Sequence, residues 1–185
     1  NLCILQTDMA TQSPRAGSGQ AIPLNPVQAR LESLLLDATN PHNTMNKVNV
    51  IKQFCDTVAM SSEGPLLAAR LLGHRIQSPQ DQEALQALAV LEAAVKSCGP
   101  AFHGEVGKFR FLNEMIKLVS PKYLGGQRPE HVKQKVVELL YCWTREIPGE
   151  SKIGEAYQML KDQGVVGEDP EYVTSAVFAA SLPPR

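Results

Sequence analysis

From Val27 to about residue 166, apolar residues recur at three- and four-residue spacing, and a proline or glycine soon interrupts each run. That spacing marks amphipathic helices, and strand-like alternation never competes with it. Val27, Leu31, Leu34, Leu35 and Ala38 give a first apolar face before the Asn40-Pro41 turn. Val48, Ile51, Phe54, Cys55 and Val58 give a second. Pro65 suits the first turn of a third, which runs through Leu67, Leu71 and Leu72. A fourth is expected to open with Ser78 as N-cap, Pro79 at the first helical position and Asp81 in the first turn. It should continue through Leu85, Leu88, Leu91 and Val95 to Gly99 as C-cap. Pro100 to Gly107 has room for a short fifth helix, and Lys108 to Val119 forms a sixth, halted by Ser120-Pro121. Val132, Val136, Leu139, Leu140 and Trp143 mark a seventh before Pro148, and the eighth runs from Ser151 to Gly164.

The expected fold is therefore all-α, with eight short-linked helices of the kind that wind into a solenoid-like superhelix. No internal sequence repeat adds to that case. Aromatic residues are only 5% of the chain, so the core must come from Leu, Val, Ile and Ala, which favours helices over a β-sandwich. Residues 1–25 are rich in Ser, Gly, Gln, Thr and Pro without helical periodicity, and read as a disordered leader. Residues 167–185 end in Leu182-Pro183-Pro184-Arg185 and read as the start of a flexible linker. The folded unit is expected over residues 26–166. The chain opens on Asn1 rather than methionine, which reads as a fragment or a processed product, with Met9-Ala10 a candidate native start.

Bulk chemistry excludes several functions. A net charge of −1 argues against a general polyanion-binding surface, so no nucleic-acid partner is expected. No apolar run approaches the roughly 20 residues needed to span a bilayer. Asn1-Leu2-Cys3-Ile4-Leu5 is too short for a signal-peptide core and lacks a basic flank. The four cysteines, Cys3, Cys55, Cys98 and Cys142, include no Cys-x-x-Cys pair. The last three sit among apolar residues, as free thiols of a cytosolic protein would. Neither a metal-ligand box nor a phosphate loop is present, and no cofactor is implied. His103 and Cys98 come nearest to a nucleophile and base. Closeness in sequence is not the required geometry, and no third group or oxyanion motif supports them, so no catalytic residue is assigned.

Helices six and eight do not look like ordinary amphipathic helices. At about 100° per residue, with Phe109 at zero, Arg110, Glu114 and Lys117 cluster near 80–140°. Phe109, Phe111, Leu112, Met115, Ile116, Leu118 and Val119 fill nearly half the wheel, where a helix packed on one side needs only about 100°. Two readings fit this width. Helix six is buried on two sides, or a second stripe of Phe109, Ile116 and Leu112 lines a groove, with Asn113 on its border. On helix eight, Ile153, Ala156, Tyr157 and Leu160 form the stripe, with Met159 and Lys152 along one edge. An edge methionine either fills the core or adapts to a bound apolar side chain. Lys108, Arg110, Lys122 and Lys152 place positive charge near the ends of these two helices.

The stretch Phe102-His103-Gly104-Glu105-Val106-Gly107-Lys108-Phe109-Arg110-Phe111-Leu112-Asn113-Glu114, continuing to Ser120-Pro121-Lys122-Tyr123-Leu124-Gly125, resembles the VHS domain of the GGA adaptors. These are the Golgi-localised, gamma-ear-containing, Arf-binding clathrin adaptors. Ile76-Gln77-Ser78-Pro79-Gln80, Glu138-Leu139-Leu140-Tyr141-Cys142-Trp143-Thr144 and Glu155-Ala156-Tyr157-Gln158-Met159-Leu160-Lys161 extend the likeness, which runs from about Val27 to Pro170 without a long gap. The resemblance implies an eight-helix right-handed superhelix of VHS/ENTH-like type. It also implies binding of acidic dileucine (Asp-x-x-Leu-Leu) sorting signals. Their carriers would be cytosolic tails of sorting receptors of the mannose 6-phosphate receptor and sortilin type. The protein would then sit peripherally on trans-Golgi network and endosomal membranes, held there through partners outside this stretch of chain.

By matching position, the resemblance assigns Lys108, Phe109 and Asn113 to the aspartate of the signal. It assigns Phe109, Leu112, Ile116, Val119, Tyr123, Ile153, Ala156, Tyr157 and Met159 to two leucine pockets, and Arg110, Lys122 and Lys152 to a basic rim. Departures are local. Val48 stands where many members carry a tryptophan linked to ubiquitin binding, so ubiquitin is at most a weak further partner. Asp162 replaces a common lysine, and the block from Asn43 to Lys47 and the tail after Asp169 match poorly. The rival reading is a VHS-type module acting through ubiquitin, a phosphoinositide or another protein. Lys108, Phe109 and Asn113 favour the dileucine reading over it.

Overall fold

The computed structural model describes residues 25–123 and 125–171. Within them lie eight α-helices: α1 (Pro26–Ala38), α2 (Val48–Ala59), α3 (Gly64–Arg75), α4 (Asp81–Ser97), α5 (Pro100–Val106), α6 (Phe109–Val119), α7 (Glu130–Glu146) and α8 (Ser151–Asp162). A single 3-10 turn, Gly125–Gln127, lies between α6 and α7. The leader up to residue 24 and the linker from residue 172 lie outside the described residues.

Local chemistry sets the boundaries. The Asn25 side chain accepts a hydrogen bond from the Val27 N–H at 2.9 Å, and Pro26 supplies the preset φ of a first helical residue. Gly99, just past α4, has φ 77°, the left-handed conformation that ends helices and that glycine adopts without a Cβ clash. The start of α4 differs from expectation. It begins at Asp81 with Gln80 at the N-cap, not with Ser78. Arg128 holds the carbonyls of Gln77 and Ser78, at 2.8 and 2.5 Å, in a bend before the helix. Ser78 serves from within that bend, accepting from the Gln80 N–H at 3.2 Å and bonding the Glu83 carboxylate.

Each helix packs chiefly on those that follow it. α1 lies against α2, α3 and α4; α3 meets α5 and α6; α4 meets α7; and α6 meets α7 and α8. This stepwise stacking is what short linkers impose on successive helices. One continuous core runs through it, with Leu31, Phe54, Leu72, Leu88, Phe102, Leu112, Leu140 and Trp143 fully or almost fully buried. Between α2 and α3 the chains approach so closely that a Cβ on Gly64 would stand 2.1 Å from the Val58 carbonyl oxygen. The α1–α2 connection is tied to α4 by buried Gln86, which donates to the Asn40 carbonyl and accepts from the Asn43 amide, both at 2.9 Å. Its polar atoms are thereby satisfied rather than left as buried penalties.

Candidate functional site

α6 is clasped by α3, α5, α7 and α8. Phe111, Leu112, Met115, Leu118 and Val119 are consequently all buried, and burial on several sides accounts for most of the wide apolar arc. What stays open is its border. Phe109 at the first turn is 47% exposed. Asn113, one turn on, is exposed and its amide has no partner among the described residues. Ile116, two turns from Phe109 and so on the same flank, keeps only a thin edge at the surface.

α8 lies beside that flank. The Lys152 ammonium sits 5.1 Å from the centre of the Phe109 ring, a cation–π contact that brings the starts of α6 and α8 together. Met159, seven residues and two turns beyond Lys152, shares its face and is 37% exposed. Ile153, Ala156 and Tyr157 back this face from within the core. In the turn after α6, Lys122 and Tyr123 are exposed, Tyr123 by 57%. The flank between α6 and α8 is therefore an apolar strip of Phe109, Met159 and the edge of Ile116. Amide donors and ammonium groups border it.

The expected site residues divide on this geometry. Phe109, Asn113, Lys152 and Met159 face one flank together, with Ile116 and Tyr157 showing only edges. Leu112 and Ile153 have no exposed surface, and Val119 and Ala156 almost none, so they shape the strip from below. Lys108 occupies the N-cap of α6, and its ammonium lies 2.7 Å from Glu105 Oε1. An incoming carboxylate at Lys108 would share that charge. Arg110 is not brought to this flank at all. It lines a cavity on the α3 side of α6.

Behind α8, the Tyr157 ring lies against Tyr141, with centroids 5.5 Å apart. Its hydroxyl donates to Asp169 Oδ1 at 2.9 Å, and the Lys161 ammonium donates to the same oxygen at 3.0 Å. Burial, then the neighbouring Asp169 carboxylate, pushes the Tyr157 phenol above its ordinary value. The Lys161 and Tyr157 hydrogen bonds hold Asp169 below its own. Asp169 lies beyond the last helix, where the sequence offered no signal of a structural role. Its bonds fasten the segment after α8 onto the back of the strip.

The VHS domain family profile matches residues 25–164, nearly all of the described fold. The chain belongs to the VHS domain family. It is 57% identical over 155 residues to the human protein named ADP-ribosylation factor-binding protein GGA3, a match covering 84% of this chain and 21% of the relative. Mouse ADP-ribosylation factor-binding protein GGA1 is 57% identical over 83% of this chain and 24% of its own length. The chain thus spans about a fifth to a quarter of these relatives. Among solved structures, the VHS and FYVE tandem domains of Hrs align with a TM-score of 0.66 at 24% identity, covering 77% of this chain and 64% of that one, which bears on the fold. The eight-helix architecture is the VHS fold, and this VHS domain is close kin to those of the GGA proteins.

The two groups that most resembled a catalytic pair are engaged elsewhere in this VHS domain. Cys98 Sγ donates to the Cys55 carbonyl oxygen at 3.7 Å, and His103 Nε2 lies 2.6 Å from the Val95 carbonyl oxygen. Hydrogen bonding with Cys55, and then burial, push the Cys98 thiol up, away from a reactive thiolate. Cys55, Cys98 and Cys142 are free thiols, buried or half-buried. Among the described residues no cluster of metal-ligating side chains occurs, and no helix is long and apolar enough to cross a membrane.

Proposed function

We propose that this VHS domain binds acidic dileucine signals, with the peptide extended along the flank between α6 and α8. The observation that carries the reading is the exposed Phe109–Asn113 edge of α6, set against Lys152 of α8 in a domain closely related to the GGA adaptors. Asn113 and Lys108 would take the aspartate carboxylate through charge-assisted hydrogen bonds. Phe109, Met159, the Ile116 edge and Tyr123 would cover the two leucines. Lys122 and Lys152 would attract flanking acidic residues. Such signals occur in cytosolic tails of sorting receptors, of the mannose 6-phosphate receptor and sortilin type. The domain would then select cargo for a clathrin adaptor on trans-Golgi network and endosomal membranes.

Magnitudes explain why both halves of the signal are needed. Each leucine contributes at most about 1.5–3 kcal/mol on burial. A satisfied hydrogen bond to a charged group adds roughly 1.5–3 kcal/mol. Ordering a flexible tail offsets much of this, leaving affinity on the order of micromolar. Calorimetric titration with an Asp-x-x-Leu-Leu peptide, and with Asp→Ala and Leu-Leu→Ala-Ala controls, tests the reading. Both controls should bind at least about tenfold more weakly, and added salt should weaken the parent peptide by screening. Equal affinity for all three peptides overturns the reading.

A further inference from the structure

The opposite flank of α6 holds a second site of different chemistry. A cavity of about 590 Å³ opens between α3, α5 and α6, within the size range of ligand pockets. Buried Ala69 and Phe111 form its apolar floor, and Leu66, a large aliphatic side chain 42% exposed, stands at its rim. On the helical wheel this flank of α6, from Arg110 through Glu114 to Phe111, lies about 100–200° from Phe109. It is thus turned well away from the face that meets Lys152 of α8.

The cavity's charges do not cancel internally. Glu105 is paired with Lys108 at 2.7 Å, and Glu114 with Lys117 at 2.9 Å. Arg70 and Arg110, which also line it, have no carboxylate partner among the described residues. The net field at the opening is therefore positive. One polar atom is also left over. The Gln77 side-chain amide donates to the Glu114 carbonyl oxygen at 2.7 Å, which fixes its orientation, and its buried Oε1 then has no hydrogen-bond partner among the described residues.

We propose that this cavity is a second peptide site, for an extended segment of a partner protein that carries an aspartate or glutamate close to a bulky apolar residue. The carboxylate meets Arg70 and Arg110, and the apolar side chain covers Leu66, Ala69 and Phe111. A peptide fits better than a phosphorylated lipid headgroup. Two carboxylates, even paired, stand beside the opening and repel a phosphate, and Leu66, Ala69 and Phe111 offer a headgroup only apolar surface. The site does not depend on the dileucine reading; of the residues assigned there, only Lys108 also lines this cavity.

A random dodecapeptide phage library panned against the whole chain, with subtraction on the Arg70→Glu variant, tests this. Subtraction removes peptides that read other surfaces. The surviving peptides should pair Asp or Glu with Leu, Ile, Met or Phe within a few residues. A synthesised survivor should bind Arg70→Glu and Leu66→Ala at least about tenfold and about threefold more weakly than the parent chain, at unchanged helicity. Its amide shifts should fall on residues 66–77 and 110–114, sparing 152–159. No survivors, survivors without an acidic residue, or shifts confined to α8 overturn the proposal. So does perturbation of α3 by phosphatidylcholine vesicles containing a phosphatidylinositol phosphate when no peptide does the same.

Discussion

Asn113→Ala is expected to remove binding to the dileucine signal while leaving the fold as stable as before. The side chain is exposed on α6 and has no partner among the described residues, so its loss breaks no intramolecular bond. Alanine is also the better helix former, by up to about 0.7 kcal/mol per residue. The melting temperature should hold or rise slightly. Binding loses a hydrogen bond to a carboxylate, roughly 1.5–3 kcal/mol, or about ten- to a hundredfold in Kd. Calorimetry with an Asp-x-x-Leu-Leu peptide measures the affinity, and a circular dichroism melt on the same sample measures stability. Unchanged affinity would take Asn113 out of the site. A fall in melting temperature together with lost binding would refute the argument that the amide is structurally idle.

Three further predictions concern the fold. Arg128→Ala leaves two carbonyls, those of Gln77 and Ser78, without their donor beside a side chain only 8% exposed, and should lower stability by roughly 2–4 kcal/mol in urea unfolding. Gly64→Ala drives a Cβ into the Val58 backbone and should cost at least about 2 kcal/mol, visible as a lower urea midpoint. Burial alone would raise Glu92, but Lys135 and Lys96 outweigh it and hold the carboxylate below its ordinary value of 4.5. Because the folded value is the lower one, this stabilisation is complete above 4.5 and fades as pH falls through the folded value. Glu92→Gln should therefore flatten the loss of stability as pH falls below about 4.5.

Most of the fold was legible because it is local. Pro65, Gly99 and Pro100 mark helix ends by their backbone chemistry, and the apolar spacing between them leaves no strand alternative. The start of α4 departs from the local signal because Ser78 is held by Arg128, 50 residues away, and no local rule sees that bond. The width of the apolar arc on α6 was visible, but its cause was not. Leu112, Met115 and Leu118 face other helices, and within the arc and its border only Phe109 and Asn113 are well exposed. Arg110 looked equivalent to Lys152 as a nearby cation, yet one position of helical rotation places it in the opposite cavity. Arg70 of α3 and Gln77 just after it complete that cavity, and only tertiary contacts bring them to α6.

One flank, between α6 and α8, is proposed to read the sorting signal. Chemical-shift mapping of the labelled chain with an Asp-x-x-Leu-Leu peptide tests it most directly. Saturable shifts should centre on Phe109, Asn113 and Ile116 of α6 and on Lys152 and Met159 of α8. Shifts centred instead on the exposed Leu36, Val48 and Met60 of the α1–α2 end, or no saturable shift at all, would contradict the account.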